Sequence, residues 1–373
     1  MSGIMLMLVG GSTLEPIPPT ALYTWGKGVD GQLGQGSITN CSSPVQVGAL
    51  TTWLEIAGGD YSSAGITTGG ALYTWGRNSQ GILGTDSGYS DHTSSPVQVG
   101  ALTNWAKIEM SALVVALKTD GTLWGWGDNA NGGLGLNNRT IKSSPVQVGA
   151  DTDWAQVVAH RASKSAMAIK TSGALWGIGG SGIALGLGNS TKRSSPVQVG
   201  TLTNWAFISQ GYFGSTAIKT DGTLWTWGVG PGGINGQNNA IGYSSPVQIG
   251  ALTDWSTTAR GRLQASAITT SGQLYMWGYN SNGQLGQNTP IASNVSSPVQ
   301  VGALTDWSEL TTDSNSVTAL KTDGTLWSWG DNADGELGLN DIISRSSPVQ
   351  TGSGTNWNKV NTGANFIIAI ENT

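Results

Sequence analysis

The sequence predicts an all-β protein, a seven-bladed β-propeller of four-stranded antiparallel blades whose ring closes by pairing the N- and C-terminal strands in one blade. Three observations carry this prediction. Ser-Ser-Pro-Val-Gln occurs seven times, with prolines at Pro44, Pro96, Pro145, Pro196, Pro246, Pro298 and Pro348, spaced by 49–52 residues. A fixed period of that length marks a repeat architecture. Within each repeat the apolar runs are short and alternate with period two, as in Leu224-Trp225-Thr226-Trp227, between Gly, Asp, Ser and Pro; that is the grammar of strands and turns. The chain also starts and ends out of phase with its repeat, so its two ends have to complete one unit.

Each repeat supplies four strands. In one copy the first contains Trp225–Trp227, the second Pro246–Ile249, the third starts at Trp255 and the fourth contains Ala267–Thr270. The fourth joins the next first strand through Thr-Asp-Gly or Thr-Ser-Gly, as at Thr119-Asp120-Gly121. Glycine accepts the positive φ of such a tight hairpin, so these strands are neighbours. Proline has no N–H to donate and belongs on an edge, which makes the second strand the outer one. The order from the axis is then third, fourth, first, second. Blades fall at about 50–100, 101–149, 150–200, 201–250, 251–302, 303–352, and 353–373 plus 20–49, after an N-terminal arm at 1–19. This phase brings Thr373 close to Thr20.

Tryptophan fits the same plan. Trp53, Trp105, Trp154, Trp205, Trp255, Trp307 and Trp357 occupy one repeat position. Trp25, Trp75, Trp126, Trp227, Trp277 and Trp329 occupy a second, with Ile178 as the exception. Both series are expected to pack between blades, where each indole removes a large apolar area from water.

Composition narrows function. Charged residues make up 10% of the chain and the net charge is −5, unfavourable for nucleic-acid backbones, which demand clustered Lys and Arg. One cysteine, Cys41, excludes an intrachain disulfide, and the two histidines, His92 and His160, lie in different repeats, against a histidine-based zinc site. No apolar run is long enough for a membrane span. Ile4–Val9 is too short, and lacks the basic start, for a signal peptide. Gly26-Lys27-Gly28-Val29-Asp30-Gly31 matches a dinucleotide pattern but opens no helix. Asp128–Gly132 and Asp331–Glu336 look like the start of a calcium loop but lack its twelfth-position Glu, and read better as turns. No metal, cofactor or catalytic set is expected.

Trp277-Gly278-Tyr279-Asn280-Ser281-Asn282-Gly283-Gln284-Leu285-Gly286 resembles the hallmark segment of the regulator of chromosome condensation repeat family, over about residues 20–373. The resemblance implies a seven-bladed propeller. That family usually carries a His in the loop before its A-L-T strand; here those positions are Ser62, Leu113, Ser165, Gly214, Gln264, Ser316 and Phe366. No functional residue of the nucleotide-exchange members carries over. The chain is also similar to a bacterial propeller that grips a β-lactamase with loops on one face, and to regular repeats encoded by bacteria and phages.

The seven copies disagree in two places: before Ser-Ser-Pro-Val-Gln, and before the Ala-Ile strand. Strand alternation puts both loop sets on one face and the constant links on the other. Loops on a rigid scaffold carry function, and Arg and aromatic residues are typical interface anchors. The predicted contact residues are therefore Tyr61, Arg161, Lys164, Tyr212, Phe213, Arg260, Arg262 and Phe366. The arm, with Ile4, Leu6 and Leu8, is expected to dock onto assembly subunits. The expected protein is non-enzymatic: a structural or recognition propeller on a virion or extracellular particle surface, presenting its variable face to a host-surface protein or glycan. The alternative is a free protein-binding module, an inhibitor or adaptor, cytoplasmic or secreted by a non-classical route.

Overall fold

In the computed structural model, which describes residues 18–89, 92–160, 164–180, 182–288 and 294–373, the chain forms seven four-stranded antiparallel sheets. Six are continuous in sequence: blade 1 (53–98), blade 2 (105–147), blade 3 (154–198), blade 4 (205–248), blade 5 (255–300) and blade 6 (307–350). The closing blade, blade 7, takes its inner strands from the C-terminus (Trp357–Gly363 and Phe366–Asn372) and its outer strands from the N-terminus (Thr20–Gly26 and Cys41–Gln46). Neighbouring blades touch through their innermost strands all the way round the ring.

Blade 4 shows the predicted order. From the axis outward run Trp205–Gln210, Gly214–Lys219, Leu224–Gly228 and Tyr243–Gln248, with Pro246 on the outer edge. The outer strand starts three residues earlier than the sequence reading placed it. Ile249 follows it and is nearly fully buried, its N–H donating to the carbonyl of Leu224. At the ring closure Thr20 pairs with Asn372, and the N–H of Thr373 donates to the carbonyl of Pro19 at 2.9 Å. The predicted meeting of Thr373 and Thr20 holds. The hairpins between the second and third strands counted from the axis turn on glycine. Gly121 has φ +76° and a Cβ there would stand 2.1 Å from the carbonyl oxygen of Thr152, so no other residue fits.

The hallmark segment is an interblade latch. Trp126 and Trp227 donate Nε1–H to the carbonyls of Ile82 and Ala184 in the preceding blade, each at 2.9 Å. Trp25, Trp75, Trp277 and Trp329 do the same to Glu336, Gln32, Ile234 and Gln284. All six indoles are fully buried. The segment's asparagine closes its loop: Oδ1 of Asn78, Asn129, Asn280 and Asn332 accepts the N–H of Leu83, Leu134, Leu285 and Leu337. Trp227→Phe removes one latch bond and leaves the Ala184 carbonyl with the Ser215 hydroxyl as its donor, at 3.2 Å. We expect it to cost about 1 kcal/mol in a denaturant melt.

Among the described residues no helix is long and apolar enough to cross a membrane.

Candidate functional site

Hydrogen bonds tie the two variable loop sets together at one end of the ring. In six blades the residue directly after the strand-ending Trp-Gly pair donates its N–H to the loop between the two inner strands of its own blade: Lys27 to Asn365, Arg77 to Tyr61, Asp128 to Ala112, Val229 to Phe213, Tyr279 to Leu263, Asp331 to Asn315. Adjacent inner loops also bond to one another, Tyr212 to Gly261, Arg262 to Asp313 and Ala364 to Gly59. The variable face therefore has a fixed backbone floor around the axis, from which side chains project.

Two aromatic–arginine stacks stand on that floor. Tyr61 is 42% exposed, and the Arg77 guanidinium lies over its ring at 5.3 Å while approaching Asp30 at 3.8 Å. Beside them is a pocket of about 190 Å³, bounded by Asp60, Tyr61, Arg77, Gln80, Ser111 and Asp128. Across the axis, in blades 4 and 5, Tyr212 is 36% exposed and packs edge-on against Phe213 at 5.0 Å, with Arg262 over its ring at 5.1 Å. Such stacks present wide, rigid contact area with little side-chain entropy left to lose. Lys164 reaches Asp128 of the neighbouring blade at 2.5 Å. Asp128 also accepts the N–H of Ala130 at 2.8 Å, consistent with a turn role.

Other predicted residues lie elsewhere. Arg161 falls outside the described residues, as do Ile4, Leu6 and Leu8. Arg260 and Phe366 are corrections, because both are buried. Phe366 opens a strand in the core and lies against Gly363, where a Cβ would stand 1.8 Å from its ring. The corresponding Ser62, Leu113, Ser165, Gln264 and Ser316 are buried as well, so the family's histidine position is a packing position in this chain. Arg260 is 3% exposed and wedged between blades 4 and 5, donating to Thr226 Oγ1 (2.7 Å), Asn235 Oδ1 (2.8 Å) and the Ser215 carbonyl (3.2 Å). Burial pushes its pKa down to about 9, so it stays charged at neutral pH. Burial and the Arg260 charge push His160 down to about 3, which keeps that imidazole neutral. Arg77, Asp30 and Asp60 were missed by the sequence reading. For Arg77 the available signal was the position after the strand-ending glycine, which changes from Lys27 to Arg77, Asp128, Gly180, Val229, Tyr279 and Asp331 while that glycine stays constant.

The innermost strands carry a charge cluster toward the axis. Glu55 of blade 1 pairs with Lys107 of blade 2 and with Lys359 of blade 7, the latter at 2.8 Å. Burial, reinforced by Glu55 and opposed by Lys107 and Lys359, pushes Glu109 up to about 8. Burial pushes Glu309 up to about 7, against the pull of Lys359. An acid whose folded pKa is raised favours folding while neutral; that stability is complete below its unfolded value near 4.5 and is lost as pH rises through the folded one. The melting temperature should therefore fall between pH 6.5 and 9, a window above the depressed aspartates and above the range in which neutral His160 acts in the opposite sense. Glu109→Gln should flatten the alkaline end of that decline, as read by tryptophan fluorescence.

Fold and site define a class: a closed seven-bladed propeller that displays sequence-variable loops on one face of a constant scaffold. A model of the regulator of chromosome condensation (RCC1) repeat matches residues 21–66, 69–112, 120–162, 271–311 and 323–370, more than half of the chain. The protein belongs to the RCC1 repeat family. Over 217 residues it is 29% identical to the ultraviolet-B receptor UVR8 of Arabidopsis thaliana, covering 56% of this chain and 48% of UVR8. Over a similar stretch it is 28% identical to the mouse (Mus musculus) E3 ubiquitin-protein ligase HERC2, covering 56% of this chain and 4% of HERC2. The chain thus spans about half the length of UVR8 and a small part of HERC2. Human WBSCR16 superposes with TM-score 0.84 at 17% identity, covering 95% of this chain and 99% of that one. Yeast RCC1 (Prp20), in its complex with Kap60, superposes with TM-score 0.83 at 18% identity, covering 96% of this chain and 90% of that one. These likenesses show the fold.

Proposed function

We propose that the chain is a non-catalytic protein-binding module that recognises its partner through the variable face. One observation carries the reading: exposed Tyr61 and Tyr212, each stacked with an arginine, rise from hydrogen-bonded loops on the face where the repeats diverge. Rigid, half-exposed aromatic and arginine side chains near the centre of a patch are typical of binding hot spots. Relatives support it by their described partners: yeast RCC1 is bound to Kap60, and Prp20p of Saccharomyces cerevisiae is described with binding to Gsp1p and histones. They favour a free binding module over a virion or particle component.

The test is site-specific photocrosslinking in the producing cells. A crosslinking residue at position 61 or 212 should form a discrete protein adduct that mass spectrometry identifies. The same residue at position 102 or 252, on the constant face, should not. Adducts confined to the constant face would reverse the assignment.

A further inference from the structure

Charge on the variable face is divided across the axis. Between residues 129 and 312 the acidic residues are Asp151, Asp153, Asp221, Asp254, Asp306 and Glu309. The first five lie in constant-face links and turns, and Glu309 on an innermost strand. The variable-face loops over this whole stretch therefore contain no carboxylate. They do contain Arg139, Lys142, Lys164, Lys192, Arg193 and Arg262, all exposed or half-buried. Among the described residues, Lys164 alone of these is matched by an acid, Asp128, at the border of the stretch. The other half of the ring, blades 6, 7 and 1, has the opposite character. Its variable loops carry Asp30, Asp60, Asp313, Asp331, Asp334 and Asp341, joined by Asp86 and Glu336. Lys27, Arg77 and Arg345 offset part of this, Arg345 by pairing with Asp341 at 2.6 Å. Burial, with smaller contributions from Asp331 and Asp313, pushes Glu336 up to about 7. Each half also holds one aromatic–arginine stack.

We propose that the variable face is a two-pole docking surface, with a basic arc over blades 2–5 and an acidic arc over blades 6, 7 and 1, and that it takes a protein partner bearing an acidic and a basic patch on either side of an apolar centre. A partner of one charge sign would meet repulsion over half the face. A two-sign partner is both attracted and oriented, since complementary potentials steer encounter and fix register. The net charge of −5 conceals this, because the arcs largely cancel.

The inference rests on the reading of this face as the binding surface, and the two fail separately. Probes for the charge division are octa-glutamate, octa-lysine, and a tandem peptide joining the two blocks by a Gly-Ser linker, each titrated into the full chain. Hydrogen exchange should place octa-glutamate on loops 137–142 and 187–193 and at Arg262, and octa-lysine on loops 313–315 and 331–341. Both should bind at once. The tandem peptide should bind about tenfold or more tighter than either block, and lose most of that gain between 50 and 300 mM NaCl. Lys192→Glu with Arg262→Glu should weaken octa-glutamate about fivefold or more and leave octa-lysine unchanged. Competition between the blocks, footprints on constant-face lysines such as Lys219, or an unaffected double variant would overturn the division. Salt-sensitive dimers of the chain alone, seen by sedimentation, would overturn the choice of a foreign partner. Crosslinks confined to the constant face would instead sink the binding-surface reading, whatever the peptides do.

Discussion

Arg260→Ala is expected to destabilise the propeller by about 3 kcal/mol or more in a denaturant titration. The guanidinium satisfies Thr226 Oγ1, Asn235 Oδ1 and the Ser215 carbonyl between blades 4 and 5. Its removal leaves Asn235 Oδ1 and the Ser215 carbonyl to share the single Thr226 hydroxyl, 3.3–3.4 Å away, and opens a cavity; each unsatisfied group costs about 1–3 kcal/mol. The repeats themselves suggest the repair. Asn235 occupies the position filled by Leu33, Leu83, Leu134, Leu185, Leu285 and Leu337 in the other units. Between blades 1 and 2 the same space is closed by Leu83 and Met110, both in one apolar cluster. The double variant Asn235→Leu, Arg260→Met copies that interface. We expect it to recover to within about 1 kcal/mol of the parent, since well-packed apolar groups replace buried polar ones at little or no net cost. Recovery no better than the sum of the two single changes would show that Arg260 does not act through Asn235.

Loss of the last strand is expected to have a still larger effect. Residues 366–372 form the second strand of the closing blade, paired on one side with Trp357–Gly363 and on the other with Thr20–Gly26. A chain ending at Ala364 leaves the N-terminal strands no inner neighbour. It also removes Phe366, Ile367, Ile368, Ala369 and Ile370 from the core. Burying each of the four larger side chains contributes about 1.5–3 kcal/mol, so their joint loss is comparable to the whole ~5–15 kcal/mol stability of an ordinary domain. The truncated chain should give no cooperative melt and should bind a hydrophobic dye. A circular permutant that joins Thr373 to Thr20 by a short linker and opens at Asp151, an exposed link residue, should keep the native melt. If the truncated chain melts as the parent does, the closing blade is dispensable.

Repeat period, strand count, radial order and the shared closing blade were all legible in the sequence. Each rests on a local rule: period-two burial, glycine in two-residue turns, proline on an edge, and the phase of the two ends. Strand alternation also placed the variable loops on one face, so Tyr61, Tyr212 and Arg262 could be read as exposed candidates. Burial at the loop bases could not be read this way. Arg260 looked like a surface charge because its partner, Asn235, belongs to the preceding blade and lies 25 residues away along the chain. Phe366 looked like a loop residue because its position varies among the copies, yet like Ser62, Gln264 and Ser316 it is the first residue of its strand. The opposing arcs of charge were written in the sequence too, but as residues scattered over more than two hundred positions. Only the closed ring gathers them onto one surface, because adjacency around the axis, and not spacing along the chain, decides which charges share a field.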